Sequence, residues 1–164
     1  MATEAKKRKH RCCFTGHRPE KLQTPESVVM AALEKEIRQA IADGFSVFIS
    51  GMARGVDIWA AEIVLRLRDA GEAIRLICAC PYLGFERVWE QSWQDRYNAI
   101  LLTADLVRYI CPGYSRSCFQ RRNEWMVDHA ARVIAVWNGQ PSGTKNTIDY
   151  ARRIGVPLIN IIPI

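Results

Sequence analysis

The chain has 164 residues, of which 49% are hydrophobic and 24% charged, the balance of one ordinary globular domain with room for a sizeable core. No apolar run approaches the ~20 residues of a membrane helix, and the basic opening MATEAKKRKHR is not followed by the apolar segment and cleavage site of a secretory signal. The net charge of +6 is uneven: Lys6, Lys7, Arg8, Lys9 and Arg11 against Glu4 put +4 in the first eleven residues and leave +2 elsewhere. Residues 1–10 therefore read as a solvated, frayed basic tail and 11–164 as a nearly neutral domain, with a weak electrostatic footprint for nucleic acid.

Taken in order, the first strand is Arg11 to Thr15, and it enters the loop Gly16-His17-Arg18-Pro19. Pro19 forces Arg18 into an extended conformation. Thr24 as cap and Pro25 at the first position predict a helix with Val28, Val29, Ala32, Leu33, Ile37, Ala40 and Ile41 at helical spacing, ended by Asp43-Gly44. A second strand, Phe45 to Ile49, leads through Ser50-Gly51-Met52-Ala53-Arg54-Gly55-Val56-Asp57 into a helix from Ile58 to about Asp69. Asp57 is its expected cap, Ala60, Ile63, Val64 and Leu67 its buried stripe, and Gly71 its stop.

The third strand is Ile74 to Ala79, followed by Cys80-Pro81-Tyr82. A long helix is predicted from about Phe85 to Leu102, with Phe85, Trp89, Trp93, Tyr97 and Leu101 every four residues. That aromatic stripe suits core packing, a dimer face of a homo-oligomer, or a surface stacked on a base, and periodicity does not separate the three. Then come a strand Leu106 to Cys111, a helix from about Cys118 to Ala130, and a strand Val133 to Trp137. A loop from Asn138 to Lys145 opens the last helix, which runs to Ile154; Gly155 stops it, and Leu158 to Ile162 is the final strand.

Strand and helix alternate throughout, and runs such as VFIS, LICA, VIAVW and LINII are apolar on both faces. Parallel strands covered by helices on both sides require that pattern, so the expected fold is α/β, a single-domain, Rossmann-like, doubly wound and mostly parallel sheet. The six cysteines show no C-x-x-C and no metal spacing with the histidines. Those inside predicted strands read as small buried hydrophobes, Cys118 falls in a polar stretch, and reduced thiols of a cytoplasmic protein are the expected state.

In such a sheet, ligands sit beyond the carboxyl ends of the strands. The loops leaving those ends hold the glycines and donors, whereas the turns at the opposite edge, around Asp43-Gly44, Ala70-Gly71 and Gly155, look like plain helix stops. The Ser50–Asp57 loop offers Gly51 and Gly55 for close backbone approach, and helix amides for an anion, although capping alone would explain Asp57. It is neither G-x-G-x-x-G nor a P-loop. Ser142, Gly143, Thr144 and Lys145 form a second helix entry suited to an anion, with Ser142 or Thr144 as a plain cap in the alternative reading. Arg122 and Asn123 are candidates to clamp a phosphate or ribose, and His17 is a candidate acid/base or hydrogen-bond donor to phosphate beside Thr15, Gly16 and Arg18. No paired carboxylates, Ser/His/Asp set or metal cluster stands out, and no motif requires a cofactor.

Four ordered segments carry a wider resemblance. Thr15-Gly16-His17-Arg18-Pro19, Ser50-Gly51-x-x-x-Gly55-Val56-Asp57-x-Trp59-Ala60, Gln120-x-Arg122-Asn123-x-x-Met126-Val127-Asp128 and Gly143-Thr144-Lys145 resemble the YpsA-like family of the SLOG superfamily over nearly the whole chain after the tail. The resemblance implies a Rossmann-like fold and a site for a nucleotide or an ADP-ribose-like derivative, with the protein acting as a sensor or regulator. Two relatives imply other activities. The lysine-decarboxylase-like branch hydrolyses nucleoside monophosphates at the N-glycosidic bond through a Gly-Gly-x-Gly-Thr-x-x-Glu motif; here Thr147 stands where its glutamate would be. DNA-processing protein A has a loop similar to Ser50–Ala61 and binds single-stranded DNA.

Overall fold

A computed structural model describes residues 3–164. Six parallel strands form one sheet: β1 (Arg11–Gly16), β2 (Val47–Ser50), β3 (Arg75–Cys80), β4 (Leu106–Tyr109), β5 (Arg132–Trp137) and β6 (Leu158–Pro163). Their order is β4-β3-β2-β1-β5-β6. The helices are α1 (Glu4–Arg8), α2 (Glu26–Ala42), α3 (Val56–Asp69), α4 (Gln91–Thr103), α5 (Cys118–Asp128) and α6 (Gly143–Ile154). The winding reverses between β1 and β5, the Rossmann-like, doubly wound arrangement expected from the apolar runs.

The apolar runs divide by residue parity. Cys12, Phe14, Phe48, Leu76, Cys78, Ile134 and Val136 join α2, α3 and α4 in one core; Cys13, Ile49, Ala79, Val133 and Ala135 join α5 and α6 in the other. Alternate strand residues point to opposite faces, so a sheet covered on both sides needs both parities apolar. All six cysteines are free and buried. Burial pushes the Cys13 thiol up to about 12 and the Cys80 thiol up to about 11, so neither is a thiolate at neutral pH.

Several boundaries differ from the sequence reading for local reasons. Pro25 itself occupies the cap position of α2, its carbonyl accepting from the Val28 and Val29 amides at 3.0 and 3.2 Å, so Thr24 is not the cap. Val28 is left outside the buried stripe of Val29, Leu33, Ile37 and Ala40. The second strand begins at Val47, not Phe45. The basic segment expected to fray holds α1 instead, capped by Thr3. Arg8 from α1 donates to the Ala130 carbonyl at 2.9 Å, and Arg11 bridges Glu4 at 2.6 Å.

The predicted helix from Phe85 to Leu102 is two pieces. Phe85–Val88 is a 3-10 turn entered through left-handed Gly84; the chain then extends at Trp89 and Glu90 before α4 begins. The Gln94 side chain secures the break by donating to the Trp89 carbonyl at 2.8 Å. Phe85, Trp89 and Tyr97 pack edge to face at 4.9–5.5 Å, while Trp93 lies against Trp59 and under the Arg96 guanidinium. The stripe is thus core packing for Tyr97. The break frees Phe85, Val88 and Trp89 to line a cleft.

Candidate functional site: a cleft at the switch point

A cleft of about 770 Å³ opens beyond the carboxyl ends of the strands, where the sheet's winding reverses. Of the residues singled out in the sequence, Thr15, Gly16, His17, Arg18, Asp57, Arg122, Asn123, Gly143 and Thr144 line it. Ser50, Gly51, Gly55 and Lys145 do not. They divide into a supporting set and a surface ion pair.

The supporting set holds the loop after β2. Ser50 is fully buried; its hydroxyl donates to the Asp57 carbonyl at 2.8 Å and accepts from the Met52 amide at 3.2 Å. The Gly51 carbonyl accepts from Arg122 Nη1, and a Cβ at Gly51 would come within 3.0 Å of that guanidinium. Gly55 has φ +89°, and its own Cβ would stand 2.6 Å from the His17 carbonyl oxygen. Gly16 meets α3 just as closely: a Cβ there would be 2.5 Å from Val56. The glycines chosen for ligand approach therefore serve strand-to-helix packing. Lys145 pairs with Asp149 at 2.6 Å along α6 and is not among the residues lining the cleft.

The N-terminus of α3 differs most from expectation. Gly55 is the cap and Asp57 lies within the first turn. Asp57 Oδ2 accepts from the Ala53 amide at 3.3 Å, while the Val56 and Ile58 amides go to the carbonyls of His17 and Ala53. The position assigned to a ligand phosphate thus already holds a carboxylate. Asp57 is 5% exposed, and its Oδ1 is buried without a partner. Burial pushes its pKa up to about 6, against the opposing pull of the Arg122 guanidinium. Arg122, also 5% exposed, is lowered from its usual value by burial, and its Nε donates to Asn123 Oδ1 at 2.8 Å.

The entry to α6 is the open one. Ser142 is the cap, accepting from the Lys145 amide at 3.2 Å, and the Gly143 and Thr144 amides have no acceptor among the described residues. Nothing lies within 4 Å of a Cβ built at Gly143. Helix dipole and unpaired amides together favour an anion here. His17 is oriented through one ring nitrogen: its Nε2 accepts from the Asn138 amide at 3.2 Å. Burial and nearby Lys21 lower its pKa, so the ring is neutral, with its proton on Nδ1.

The aromatic wall reads from the sequence only as loops at the strand ends and a stripe open to three readings, not as one surface. Tyr82, Phe85, Trp89 and Phe119 line the cleft, Tyr82 lying 5.9 Å from Phe85 and 6.2 Å from Phe119, both edge to face. Lys21 and Arg54 join Arg18 on its charged side, Arg54 pairing with Glu20 at 2.7 Å. The aromatic stripe was the signal for this wall, hidden by the assumption of one unbroken helix. No group of three or more potential metal ligands occurs among the described residues.

A doubly wound parallel sheet with its cleft at the switch point defines the class as a Rossmann-like α/β domain. Within that class, the family model described as "YspA SLOG family", YpsA, matches residues 12–153, and the chain belongs to that family. It is similar to the SPbeta prophage-derived protein YoqJ of Bacillus subtilis (strain 168), 33% identical over 118 residues, covering 65% of this chain and 69% of that protein. It is also similar to a UPF0398 protein of Bacillus pumilus (strain SAFR-032), 29% identical over 119 residues, covering 71% of this chain and 63% of that one. Among solved structures, DNA processing protein A of Helicobacter pylori, described for its single-stranded DNA binding mode, superposes with a TM-score of 0.67 at 21% identity. That match covers 94% of this chain and 65% of the other. DprA of Streptococcus pneumoniae gives 0.65 at 18% identity, covering 94% of this chain and 50% of that one. At these identities the structural likeness is one of fold.

Proposed function

We propose that the cleft binds a nucleotide or a nucleotide derivative of the ADP-ribose type, and that the protein works as a sensor or regulator through that binding. One observation carries the reading: aromatic rings and an unpaired helix entry line one and the same cleft. Rings suit a base, and free amides at the positive end of α6 suit a phosphate. The cleft's volume of about 770 Å³ is within the range of small-molecule and cofactor sites. Membership of the YpsA SLOG family agrees with a nucleotide-related role.

Binding is favoured over N-glycosidic hydrolysis by position 147. Thr147 is buried in α6, and its hydroxyl donates to the Gly143 carbonyl at 2.9 Å, so no carboxylate projects from the place a glutamate would occupy. Titration calorimetry against nucleoside mono- and diphosphates and ADP-ribose tests the proposal. Saturable binding of at least one is expected; no heat from any of them, with the fold verified by circular dichroism, would overturn it.

A second reading, single-stranded DNA binding, draws on the shared fold with DNA processing protein A and on Arg18, Lys21 and Arg54 beside exposed rings such as Tyr114 and Phe119. It predicts binding of oligothymidylate that weakens steeply with salt. Affinity unchanged between low and high salt would exclude it.

A further inference from the structure

We infer that Asp57 is the sugar anchor of the cleft: its unpartnered carboxylate oxygen accepts a hydrogen bond from a ribose hydroxyl, and the phosphate lies apart from it, at the entry of α6. The inference rests on the nucleotide reading above and goes beyond it by fixing which way round the ligand lies.

Three observations carry it. The first is the orphan oxygen. Asp57 lines the cleft while 95% removed from solvent, Oδ2 is engaged with the Ala53 amide, and Oδ1 has no partner. An unpaired buried polar atom is costly, and its natural complement is a group supplied by a ligand. An ionised carboxylate only accepts hydrogen bonds, so that group must be a donor; a hydroxyl qualifies and a phosphate does not.

The second is electrostatic. The Val56 and Ile58 amides are taken, and a phosphate brought to α3 would face the Asp57 carboxylate at close range. The entry of α6 presents the free Gly143 and Thr144 amides, and its own first turn carries no acidic residue. The third is the order of strand ends. Tyr82 and Phe85 follow β3, Asp57 follows β2, Thr15 and His17 lie at the end of β1, and Gly143 follows β5. With strands about 4.8 Å apart, the aromatic wall and the α6 entry are separated by three spacings, roughly 14 Å. That is the scale of a nucleotide from base to phosphate, and Asp57 stands inside the span, one spacing from the aromatic end and two from the α6 entry, where a sugar next to the base would fall.

The test is calorimetry at pH 7.5 with AMP, GMP, CMP and UMP and with their 2′-deoxy and 3′-deoxy counterparts, on the natural chain and on Asp57→Ala. A hydrogen bond to a charged group implies that removing the hydroxyl held by Asp57 weakens binding about 10- to 100-fold, and that Asp57→Ala erases the difference. Equal binding of ribo- and deoxynucleotides by the natural chain would overturn the anchor and leave the nucleotide reading intact. Discrimination that survives in Asp57→Ala would overturn it too, by giving the sugar to another residue. Failure of every nucleotide would remove both. The ligand-side comparison needs no variant, and Asp57→Asn, which keeps the side chain's shape, replaces Asp57→Ala if the latter does not fold; it should shrink the discrimination several-fold.

Discussion

Replacing Gly55 with alanine separates two costs that usually arrive together. The residue sits at φ +89° and ψ −125°, capping α3, and a Cβ there would stand 2.6 Å from the His17 carbonyl oxygen and 2.9 Å from Pro19 Cδ. Both neighbours are parts of the backbone or a fixed ring, so neither can rotate away. The sparsely populated backbone conformation alone costs a non-glycine residue about 1–3 kcal/mol, and forced overpacking typically adds about 1–3 kcal/mol. The expected loss is therefore about 2–6 kcal/mol, centred on about 4. Gly155→Ala is the matched control. It also has positive φ, +79°, in the left-handed well at the end of α6, but nothing lies within 4 Å of its would-be Cβ. It should cost only about 1 kcal/mol. In a domain of this size each kcal/mol moves the midpoint by about 2–4 °C, so Gly55→Ala should melt roughly 10 °C below the natural chain and Gly155→Ala roughly 3 °C below. Far-ultraviolet circular dichroism during heating, with urea unfolding for the free energies, measures both. Equal losses in the two variants would show that the crowding of His17 and Pro19 contributes nothing, and the packing account of Gly55 would fail.

Further outcomes follow from other contacts. Asp57 has a folded pKa of about 6, raised by burial above its ordinary value of 3.8. Stability linked to it is fully present below about pH 4 and lost as pH rises through 6, a penalty of about 3 kcal/mol at neutral pH. Asp57→Asn escapes that penalty, so urea unfolding should find it gaining on the natural chain between pH 4.0 and 7.5; a pH-independent difference would refute the buried-carboxylate assignment. Lys145→Ala should alter nucleotide affinity less than about twofold and stability by less than about 0.5 kcal/mol, because its partner is Asp149 on an exposed helix face; a tenfold loss by calorimetry would return Lys145 to the site. With all six cysteines free and buried, Ellman's reagent should find no fast-reacting thiol in the native protein and six after unfolding. Phe119→Ala, which trims a ring 41% exposed at the cleft wall, should weaken nucleotide binding with little change in melting temperature; undiminished affinity would remove Phe119 from the ligand contacts.

The fold was legible because parallel, doubly covered strands leave an unambiguous mark: apolar residues of both parities, as in VFIS and VIAVW, separated by helical spacing and glycine stops. The cleft's position followed from the same pattern. Which residues face it did not, since that depends on turns of one or two residues. A shift of the α3 start from Ile58 to Val56 moved Asp57 from cap to buried first-turn residue, and with it the reading of a phosphate cradle. The break at Trp89 and Glu90 depends on Gln94 reaching back to a backbone carbonyl, a contact that no periodicity encodes. Lys145 looked like an anion ligand by its place after Gly143-Thr144, but the aspartate four residues on claims it.

The two outer strands meet the hazard of an open edge differently. β4 is only four residues long and carries Arg108, both features that blunt an edge. β6 is a run of Leu158, Ile159, Asn160, Ile161 and Ile162 with Leu158 and Ile161 exposed, paired only to β5 among the described residues. Its composition is that of a segment prone to intermolecular pairing. Pro157 stands just before it and Pro163 closes it, two residues without the amide hydrogen that a neighbouring strand would need. The β6 edge is therefore fenced at both ends by residues that shorten the stretch another strand could pair with.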